Sequence, residues 1–192
     1  MLVGVTGNMS VGKSTFISML SSCGADVFDT DLFVDSLYRK EEIREEVRRE
    51  FGPQFVGKGS VDKKALAKAV FSDHHMLEKL NAFIHPMIRG ELMKINHEGR
   101  VVIAEVPLLF EAQMDDLFDK IILVTCPQEI AIERAAQKGF SRDDYLHRIR
   151  FQWPDEKKIS VADFAVNSGC SMDELKKQAE QVSLNLLKGE KK

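Results

Sequence analysis

The sequence predicts an α/β fold in which a parallel sheet is flanked by helices, and three observations point to it. First, short apolar runs of strand length recur along the chain, at residues 2–6, 25–28, 101–105, 121–125 and 162–166. Second, the first run leads through a glycine-rich loop into a segment with apolar residues at helical spacing. Third, a helically patterned block of roughly sixty residues separates the second run from the third, which is more than a crossover connection requires.

The loop after the first strand, residues 7–14, fits the pattern G-x-x-x-x-G-K-[ST]. A strand, a glycine loop and a helix in this order aim backbone N–H groups and a helix N-terminus at one point, which makes an anion site. Lys13 would then reach the β- and γ-phosphates of a nucleoside triphosphate, and the Ser14 hydroxyl would ligate Mg²⁺. The alternative is a glycine-rich turn that binds nothing. Because both flanking elements are present, we interpret the stretch as the phosphate loop of a P-loop NTPase fold.

Carboxylates stand at the ends of two further predicted strands. Asp29 and Asp31 follow the second strand, and Glu105 ends the third. Open parallel sheets bind ligands at the carboxyl ends of their strands, so we expect these side chains at the site, with Glu105 as the acidic partner of the Mg²⁺ shell. The alternative for Asp29 or Asp31 is a helix N-cap, and one of them can cap while the other faces the cleft.

Residues 31–97 form a predicted helical insertion, which is a candidate substrate-binding part. Its first helix is expected over residues 32–49, with a solvated charged face. Asp62 is expected to cap a helix over residues 65–71. The last helix is expected to end at His85 because Pro86 follows it.

A small helical lid is predicted over residues 134–159, which leaves residues 1–30, 98–133 and 160–192 as the nucleotide-binding core. A helix over residues 128–138 breaks at Gly139, and a second helix begins with Ser141 as its N-cap. Guanidinium groups on such a pair neutralise the charge that spreads over transferring phosphate oxygens. The alternative, solvated helix faces, would account for part of the basic set: Arg134, Lys138, Arg142, Arg148 and Arg150.

Composition excludes several classes of partner. The chain has 192 residues, 44% hydrophobic and 30% charged, and a net charge of −3, so bulk charge favours neither nucleic acid nor a membrane surface. The apolar runs are too short to span a bilayer. An odd number of widely spaced cysteines favours free thiols in a reducing compartment. Since the first strand begins at residue 2, we expect no signal peptide and a cytoplasmic location.

Several separated stretches resemble one family, the dephospho-CoA kinases, and together they cover nearly the whole chain. The most specific are residues 80–89, which resemble the family's L-N-x-I-x-H-P-x-I-R, and residues 106–111, which resemble the end of its D-x-P-L-L-F-E. Residues 6–14 are similar to its loop T-G-G-I-G-S-G-K-S, and residues 29–31 to its D-A-D. Weaker matches are residues 59–71 to G-x-I-D-R-x-x-L with V-F, residues 148–152 to R-I-x-x-Q, and residues 162–169 to the A-D and N-x-G of its tail.

The resemblance implies transfer of the γ-phosphate of ATP to the ribose 3′-hydroxyl of dephospho-CoA, which gives CoA and ADP in the last step of CoA synthesis. Asp31, matching the second Asp of D-A-D, would take the hydroxyl proton, and Lys13 with Arg134 or Arg148 would stabilise the transition-state charge. Mg²⁺ would be the cofactor, held by Ser14 and Glu105. The implied ATP-binding residues are Ser10, Val11, Gly12, Lys13, Ser14, Thr15 and Asn167, and the implied acceptor-binding residues are Asp29, His85 and Arg89.

By the same resemblance the partners would be ATP and dephospho-CoA, without nucleic acid or membrane, and the protein would be a monomer or a weak homo-oligomer.

The chain departs from the family pattern at several positions. Asn8, Ser10 and Val11 replace smaller residues in the loop, and a positive φ at Val11 would strain it. Glu105 stands where Asp is commoner, which leaves direct or water-mediated metal contact open. Asp35 and Lys138 both stand where Arg is common, and the lid is one residue shorter.

Two other functions compete with this interpretation. A kinase of the same architecture that acts on a nucleoside monophosphate would accept AMP and ignore dephospho-CoA. A nucleotide-switch binding module would require an N-K-x-D motif that reads the base, and Asn167-Ser168-Gly169 does not fit that pattern.

Overall fold

The computed structural model describes residues 1–70, 72–95 and 99–189. Phe71 of the V-F pair and the predicted boundary between residues 97 and 98 therefore lie outside the described residues. Within them the chain forms five strands: β1 Leu2–Thr6, β2 Asp26–Phe28, β3 Val102–Glu105, β4 Lys120–Thr125 and β5 Phe164–Asn167. The α-helices are α1 Lys13–Ser22, α2 Thr30–Leu37, α3 Glu41–Glu50, α4 Lys63–Val70, α5 His74–Leu92, α6 Gln128–Gln137, α7 Arg142–Ile149, α8 Asp155–Ile159 and α9 Met172–Gly189.

The strands of the described chain make one parallel sheet in the order β2-β3-β1-β4-β5, which confirms the predicted fold class. Its register aligns the carboxyl ends, since Val5 pairs with Glu105 and Thr125 pairs with Asn167. A parallel sheet therefore delivers the residues that follow each strand to one edge. The phosphate loop after β1, Glu105 at the end of β3 and the turn after β5 all begin there.

The chain divides into two compact units, one of residues Met1–Phe28 with Ile95–Lys192 and one of Asp29–Lys94. The first unit contains the sheet. Its main core joins the inward residues of the strands to helices α1 and α9, and its buried members include Val3, Val5, Phe16, Leu175 and Ala179. A second cluster joins α6 to α7 around Ala135 and Tyr145. The predicted lid, residues 134–159, lies within this unit, and its separate movement stays a prediction.

The second unit is helical in its described part, and two expectations for its helices are wrong. The single helix over residues 32–49 is two helices, α2 and α3, separated at residues 38–40. Tyr38 is only 4% exposed, and Lys40 has extended backbone angles as the N-cap of α3. No glycine or proline marks this break, and the two residues that lead into it, Leu37 and Tyr38, are both buried.

Helix α5 does not end at His85 but continues through Pro86 to Leu92. Proline has no N–H to donate to the carbonyl of Ala82, which normally weakens a helix interior. Both Ala82 and Pro86 are exposed, so water can satisfy that carbonyl. The buried stripe Ile84, Ile88 and Leu92 then continues past the proline and holds the helix in one piece.

Other local expectations are confirmed. Asp62 caps α4, because its side chain accepts a hydrogen bond from the N–H of Ala65 at 2.9 Å. Ser141 caps α7 in a reciprocal capping box with Asp144. The three cysteines are free thiols. In the described residues, no helix is both long enough and apolar enough to cross a bilayer.

Candidate active site

The phosphate loop is a tight backbone turn whose shape depends on its glycines. Gly7 has a φ of 149°, and a Cβ there would stand 2.1 Å from the carbonyl oxygen of Val124 in the neighbouring strand. Gly12 has a φ of 91° and is the left-handed N-cap of α1. Since an L side chain at either position would clash or be strained, both glycines of the motif are required by the fold.

The strain expected at Val11 does not occur there. The non-glycine residue of the loop with a positive φ is Ser10, at 61°. Val11 instead turns its side chain into the core beside Val5 and Phe16, and is 2% exposed. A left-handed serine costs less than a left-handed valine because it has no β-branch, so the substitutions in this loop are compatible with its shape.

Lys13 is held inside the loop by the backbone that it follows. Its ammonium donates to the carbonyls of Gly7 at 2.9 Å and Asn8 at 3.1 Å, and the residue is 8% exposed. The buried hydroxyl of Ser10 has no hydrogen-bond partner within the described part of the chain. The loop thus carries a positive charge, on Lys13, and a hydroxyl that can still donate a hydrogen bond, on Ser10. Both are suited to an anion with several acceptor oxygens.

Ser14 and Glu105 meet at the carboxyl edge of the sheet. The Ser14 hydroxyl donates to Glu105 Oε2 at 3.2 Å, which joins the first turn of α1 to the end of β3. A hydroxyl and one carboxylate are oxygen donors of the kind that Mg²⁺ takes alongside phosphate and water. Among the described residues there is no group of three His, Cys, Asp or Glu side chains that could hold a metal by themselves, as zinc would require. This donor set fits Mg²⁺.

Arg134 fastens the phosphate loop to the turn after β5. Its guanidinium donates to the Val11 carbonyl at 3.2 Å, the Ser168 hydroxyl at 3.0 Å and the Ser168 carbonyl at 2.8 Å. The Ser168 hydroxyl also donates to the Val11 carbonyl. The sequence reasoning assigned Arg134 to transition-state charge, and the observed contacts add a structural role that its position on α6 did not suggest.

An open cleft of about 330 Å³ lies beside this arginine. Of the seven ATP-binding residues implied by resemblance, Ser10, Gly12 and Thr15 line it. Its other lining residues, which sequence reasoning did not assign to ATP, are Arg134, Gln137, Lys138, Ser168, Met172 and Leu175. Asn167 is not among them, because its side chain accepts the N–H of Gly169 at 2.8 Å and shapes the turn. In the sequence, the motif Asn167-Ser168-Gly169 had already indicated that the turn after β5 belongs to the nucleotide site.

The other predicted lid arginine, Arg148, lies on α7 with its guanidinium 4.8 Å from the ring of Phe140. Burial lowers the pKa of this guanidinium, while the charge of Asp144 opposes the shift. Arg142 is engaged with both carboxylate oxygens of Glu129, at 2.8 and 2.9 Å. These basic side chains are therefore held by neighbours within the first unit.

In the helical unit, the structure shows which of Asp29 and Asp31 caps a helix, and a cleft-facing role for the other stays a prediction. Asp29 is the N-cap of α2 and accepts the N–H of Leu32 at 2.9 Å. The side chain of Asp31 is 85% exposed and lies 3.6 Å from the ammonium of Lys63, which also contacts Asp35 at 3.0 Å. Burial lowers the pKa of Lys63, but hydrogen bonds and the charges of Asp35 and Asp31 outweigh this and raise it.

The remaining acceptor candidates, His85 and Arg89, are one helical turn apart on α5. His85 is half-buried, and that burial lowers the pKa of its imidazole, so the neutral form is favoured. A neutral imidazole can both donate and accept a hydrogen bond. Asp29, Asp31, His85 and Arg89 thus all belong to the second unit.

The chain is similar to known proteins in both sequence and structure. A family model described as dephospho-CoA kinase matches residues 1–174. A dephospho-CoA kinase from Aquifex aeolicus is 37% identical over 185 residues, which is 94% of this chain and 94% of the relative. Another, from Chlorobaculum tepidum, is 35% identical over 198 residues and covers 97% of this chain and 95% of its own length.

Solved structures agree with the sequence matches. A Thermus thermophilus protein superposes with a TM-score of 0.76 at 35% identity, over 97% of both chains. A dephospho-CoA kinase from Campylobacter jejuni gives 0.70 at 26% identity, over 98% of both chains. A shikimate kinase from Acinetobacter baumannii gives 0.61 at 13% identity, over 100% of this chain and 95% of its own, so it shares the fold alone.

Proposed function

The chain belongs to the dephospho-CoA kinase family, and from this premise we propose how its residues carry out the family's reaction. That reaction transfers the γ-phosphate of ATP to the ribose 3′-hydroxyl of dephospho-CoA. The observation that carries the residue assignment is the phosphate loop, where Lys13 is buried against two carbonyls and Ser14 lies 3.2 Å from Glu105. Phosphoryl transfer needs mainly positioning and charge stabilisation, and this loop supplies groups for both.

In the nucleotide part, Lys13 supplies positive charge to the β- and γ-phosphates, and Ser10 offers them its unpaired hydroxyl. Arg134 and Arg148 are the basic groups for charge that develops on the transferring oxygens. The remaining implied contacts to ATP, from Val11, Gly12, Thr15 and Asn167, are supported by their place in the loop and at the end of β5.

Ser14 and Glu105 would hold Mg²⁺. When bound, that ion supplies charge neutralisation across the β- and γ-phosphates. The family's use of ATP and the oxygen donor set support this assignment. Glu105 carries one methylene more than aspartate, and its carboxylate lies 3.2 Å from the Ser14 hydroxyl, so the two oxygen donors are close enough to bind one ion.

In the helical part, Asp31 takes the proton of the acceptor hydroxyl. Its carboxylate is exposed and paired at 3.6 Å with Lys63, whereas Asp29 is engaged as the cap of α2. Asp29, His85 and Arg89 contribute to acceptor binding, with Arg89 suited to a phosphate of the CoA moiety. Residues 134–159 close over the phosphates as a lid, and residues 31–97 bind the acceptor.

We expect a cytoplasmic monomer or weak homo-oligomer that binds neither nucleic acid nor membrane, in line with the net charge of −3. Light scattering of the purified chain at two concentrations would test the oligomeric state. A dimer mass at both concentrations would replace this expectation by a stable dimer.

The deciding experiment measures ADP release from ATP and Mg²⁺ with dephospho-CoA, with AMP, and with no acceptor, and takes the mass of the product. Of the three mixtures, we expect ADP release only in the one that contains dephospho-CoA, with a product heavier by one phosphate. Periodate resistance of the ribose would show that one of its two neighbouring hydroxyls is modified, and phosphorus–proton NMR coupling would assign the phosphate to the 3′ position. Turnover with AMP instead would assign the chain to the nucleoside monophosphate kinases. Slow release without any acceptor would leave a nucleotide-binding protein.

A further inference from the structure

The side chain of Asn8 joins the phosphate loop to helix α8, more than a hundred residues later in the chain. Its amide N–H donates to Asp155 Oδ1 at 2.7 Å, and its amide oxygen accepts from the ammonium of Lys158 at 2.8 Å. Asn8 is 7% exposed although it lies in a loop. Both halves of a buried amide are therefore satisfied by partners from one short helix.

Lys158 makes this junction rigid. It is fully buried, and it pairs with Glu111 Oε1 at 2.9 Å while it donates to Asn8. Glu111 Oε1 also accepts the backbone N–H of Trp153 at 2.6 Å. Burying an ammonium costs free energy unless it is paired and hydrogen-bonded, and here Glu111 and Asn8 supply those contacts.

The same loop segment holds Lys13 from its other side. The carbonyl of Asn8 accepts from the Lys13 ammonium at 3.1 Å, and the next residue, Met9, donates its N–H to Gln152 at 3.1 Å. Side chains after α7 thus fix the backbone on which Lys13 rests. Because a loop that binds phosphates works through the placement of its backbone, this junction bears directly on nucleotide affinity.

We propose that Asn8 is a positioning residue for phosphate binding, and that it acts through Asp155 and Lys158 on the loop backbone that carries Lys13. The proposal rests on the proposed function, since it assumes that ATP phosphates occupy this loop. Glycine stands at this position in the pattern that the loop resembles, and glycine has no side-chain amide with which to contact Asp155 and Lys158.

The test measures ADP affinity by titration calorimetry, below the melting temperature of each variant. Asn8→Ala should raise the Kd for ADP about tenfold, which corresponds to a loss of about 1.4 kcal/mol of binding free energy. In turnover, the KM for ATP should rise similarly, while kcat and the KM for dephospho-CoA stay within about twofold. Asn185→Ala, on the exposed side of α9, is the matched control and should change none of these.

A second pair of variants separates positioning from general support of the fold. Asp155→Ala removes the acceptor of the Asn8 amide and should raise the Kd for ADP about threefold, whereas Asp155→Asn keeps an oxygen acceptor and should restore it. Combining Asn8→Ala with Asp155→Ala should cost less than the product of the two single effects, because they remove the same contact. This pair also serves if Asn8→Ala does not fold.

Four outcomes would overturn the proposal: an unchanged ADP affinity in folded Asn8→Ala, an unchanged affinity in folded Asp155→Ala, failure of Asp155→Asn to restore binding, or effects that multiply independently. Each of these presupposes a wild-type chain that binds ADP. A wild-type chain that does not bind it would refute the proposed function itself, so the two failures are distinguishable.

Discussion

The candidate catalytic residues of the two units are held in opposite ways. In the nucleotide unit, Lys13 is 8% exposed and rests on two carbonyls, and Arg134 makes three hydrogen bonds to the loop and to Ser168. In the helical unit, the side chain of Asp31 is 85% exposed, and its ion pair with Lys63, at 3.6 Å, is long. One set is fixed before any substrate arrives, and the other lies open to solvent.

This difference follows from the work that each set is proposed to do. Groups that stabilise developing charge act best when they are already oriented, because no reorganisation is then required during the reaction. A group that takes a proton from an incoming hydroxyl must stay accessible to that hydroxyl. Substitution of Lys13 should therefore change binding, stability and turnover together, whereas substitutions at the exposed carboxylate should change turnover alone.

The largest effect is expected for Asp31→Asn. Loss of a general base typically costs 10²- to 10⁴-fold, so kcat should fall about 10³-fold while the Kd for ATP stays nearly unchanged. Rapid-quench turnover and ATP titration would measure the two quantities. Asp35→Asn is the matched control, since it lies on the same helix and contacts the same lysine. Equal losses of turnover and ATP affinity would show that Asp31 is structural.

A smaller loss of turnover, with a broader pattern of effects, is expected for Lys13→Met. Removing one stabilising donor costs about 10²-fold in kcat/KM, and ATP affinity should weaken as well. The carbonyls of Gly7 and Asn8 would lose a donor, so thermal unfolding should also shift downward. Lys176→Met, on the exposed face of α9, controls for loss of a surface charge. If only turnover changed, the loop would not be held as tightly as its contacts indicate.

Arg134→Lys tests whether the fork of the guanidinium is needed to fasten the loop. Lysine cannot bridge the Val11 carbonyl and both oxygens of Ser168, so we expect about a tenfold rise in the KM for ATP. Stopped-flow nucleotide binding would give the same comparison without turnover. Arg49→Lys on α3 is an exposed control. A normal KM with reduced kcat would assign Arg134 to the transition state instead.

The smallest effect is expected for Lys63→Gln. An exposed ion pair contributes little, so kcat should fall only about two- to threefold, and less at high salt. Lys64→Gln, the neighbouring residue, is the control. A loss as large as that of Asp31→Asn would mean that Asp31 depends on Lys63 and is not a freely accessible base. The contrast between the two units would then be wrong.

Local patterns predicted much of the fold and part of the site. The apolar runs predicted all five strands to within two residues at each end, because period and length are local properties. The spacing from Gly7 to Ser14 predicted the phosphate loop, and the acid at residue 105 was expected beside Ser14 because parallel strands end at one edge. Resemblance supplied the acceptor, since residues 80–89 and 106–111 are specific to one family.

What sequence reasoning missed depends on contacts between distant residues. The break at residues 38–40 accompanies the burial of Tyr38 in the tertiary structure, and α5 passes Pro86 with its buried stripe unbroken. Lys158 lies in a run of charged letters that is typical of a solvated helix, yet it is fully buried against Glu111 and Asn8. No local pattern distinguishes a buried lysine from an exposed one.

The sequence by itself determined the strands, the phosphate loop and the family, because each depends on residues that are close together in the chain or on motifs with fixed spacing. Only the tertiary structure decided that Ser10 takes the positive φ, that Asp29 caps α2 and leaves Asp31 exposed, and that Arg134 and Asn8 fasten the loop. These depend on which distant groups satisfy a buried polar atom, and such partners are chosen by packing in three dimensions.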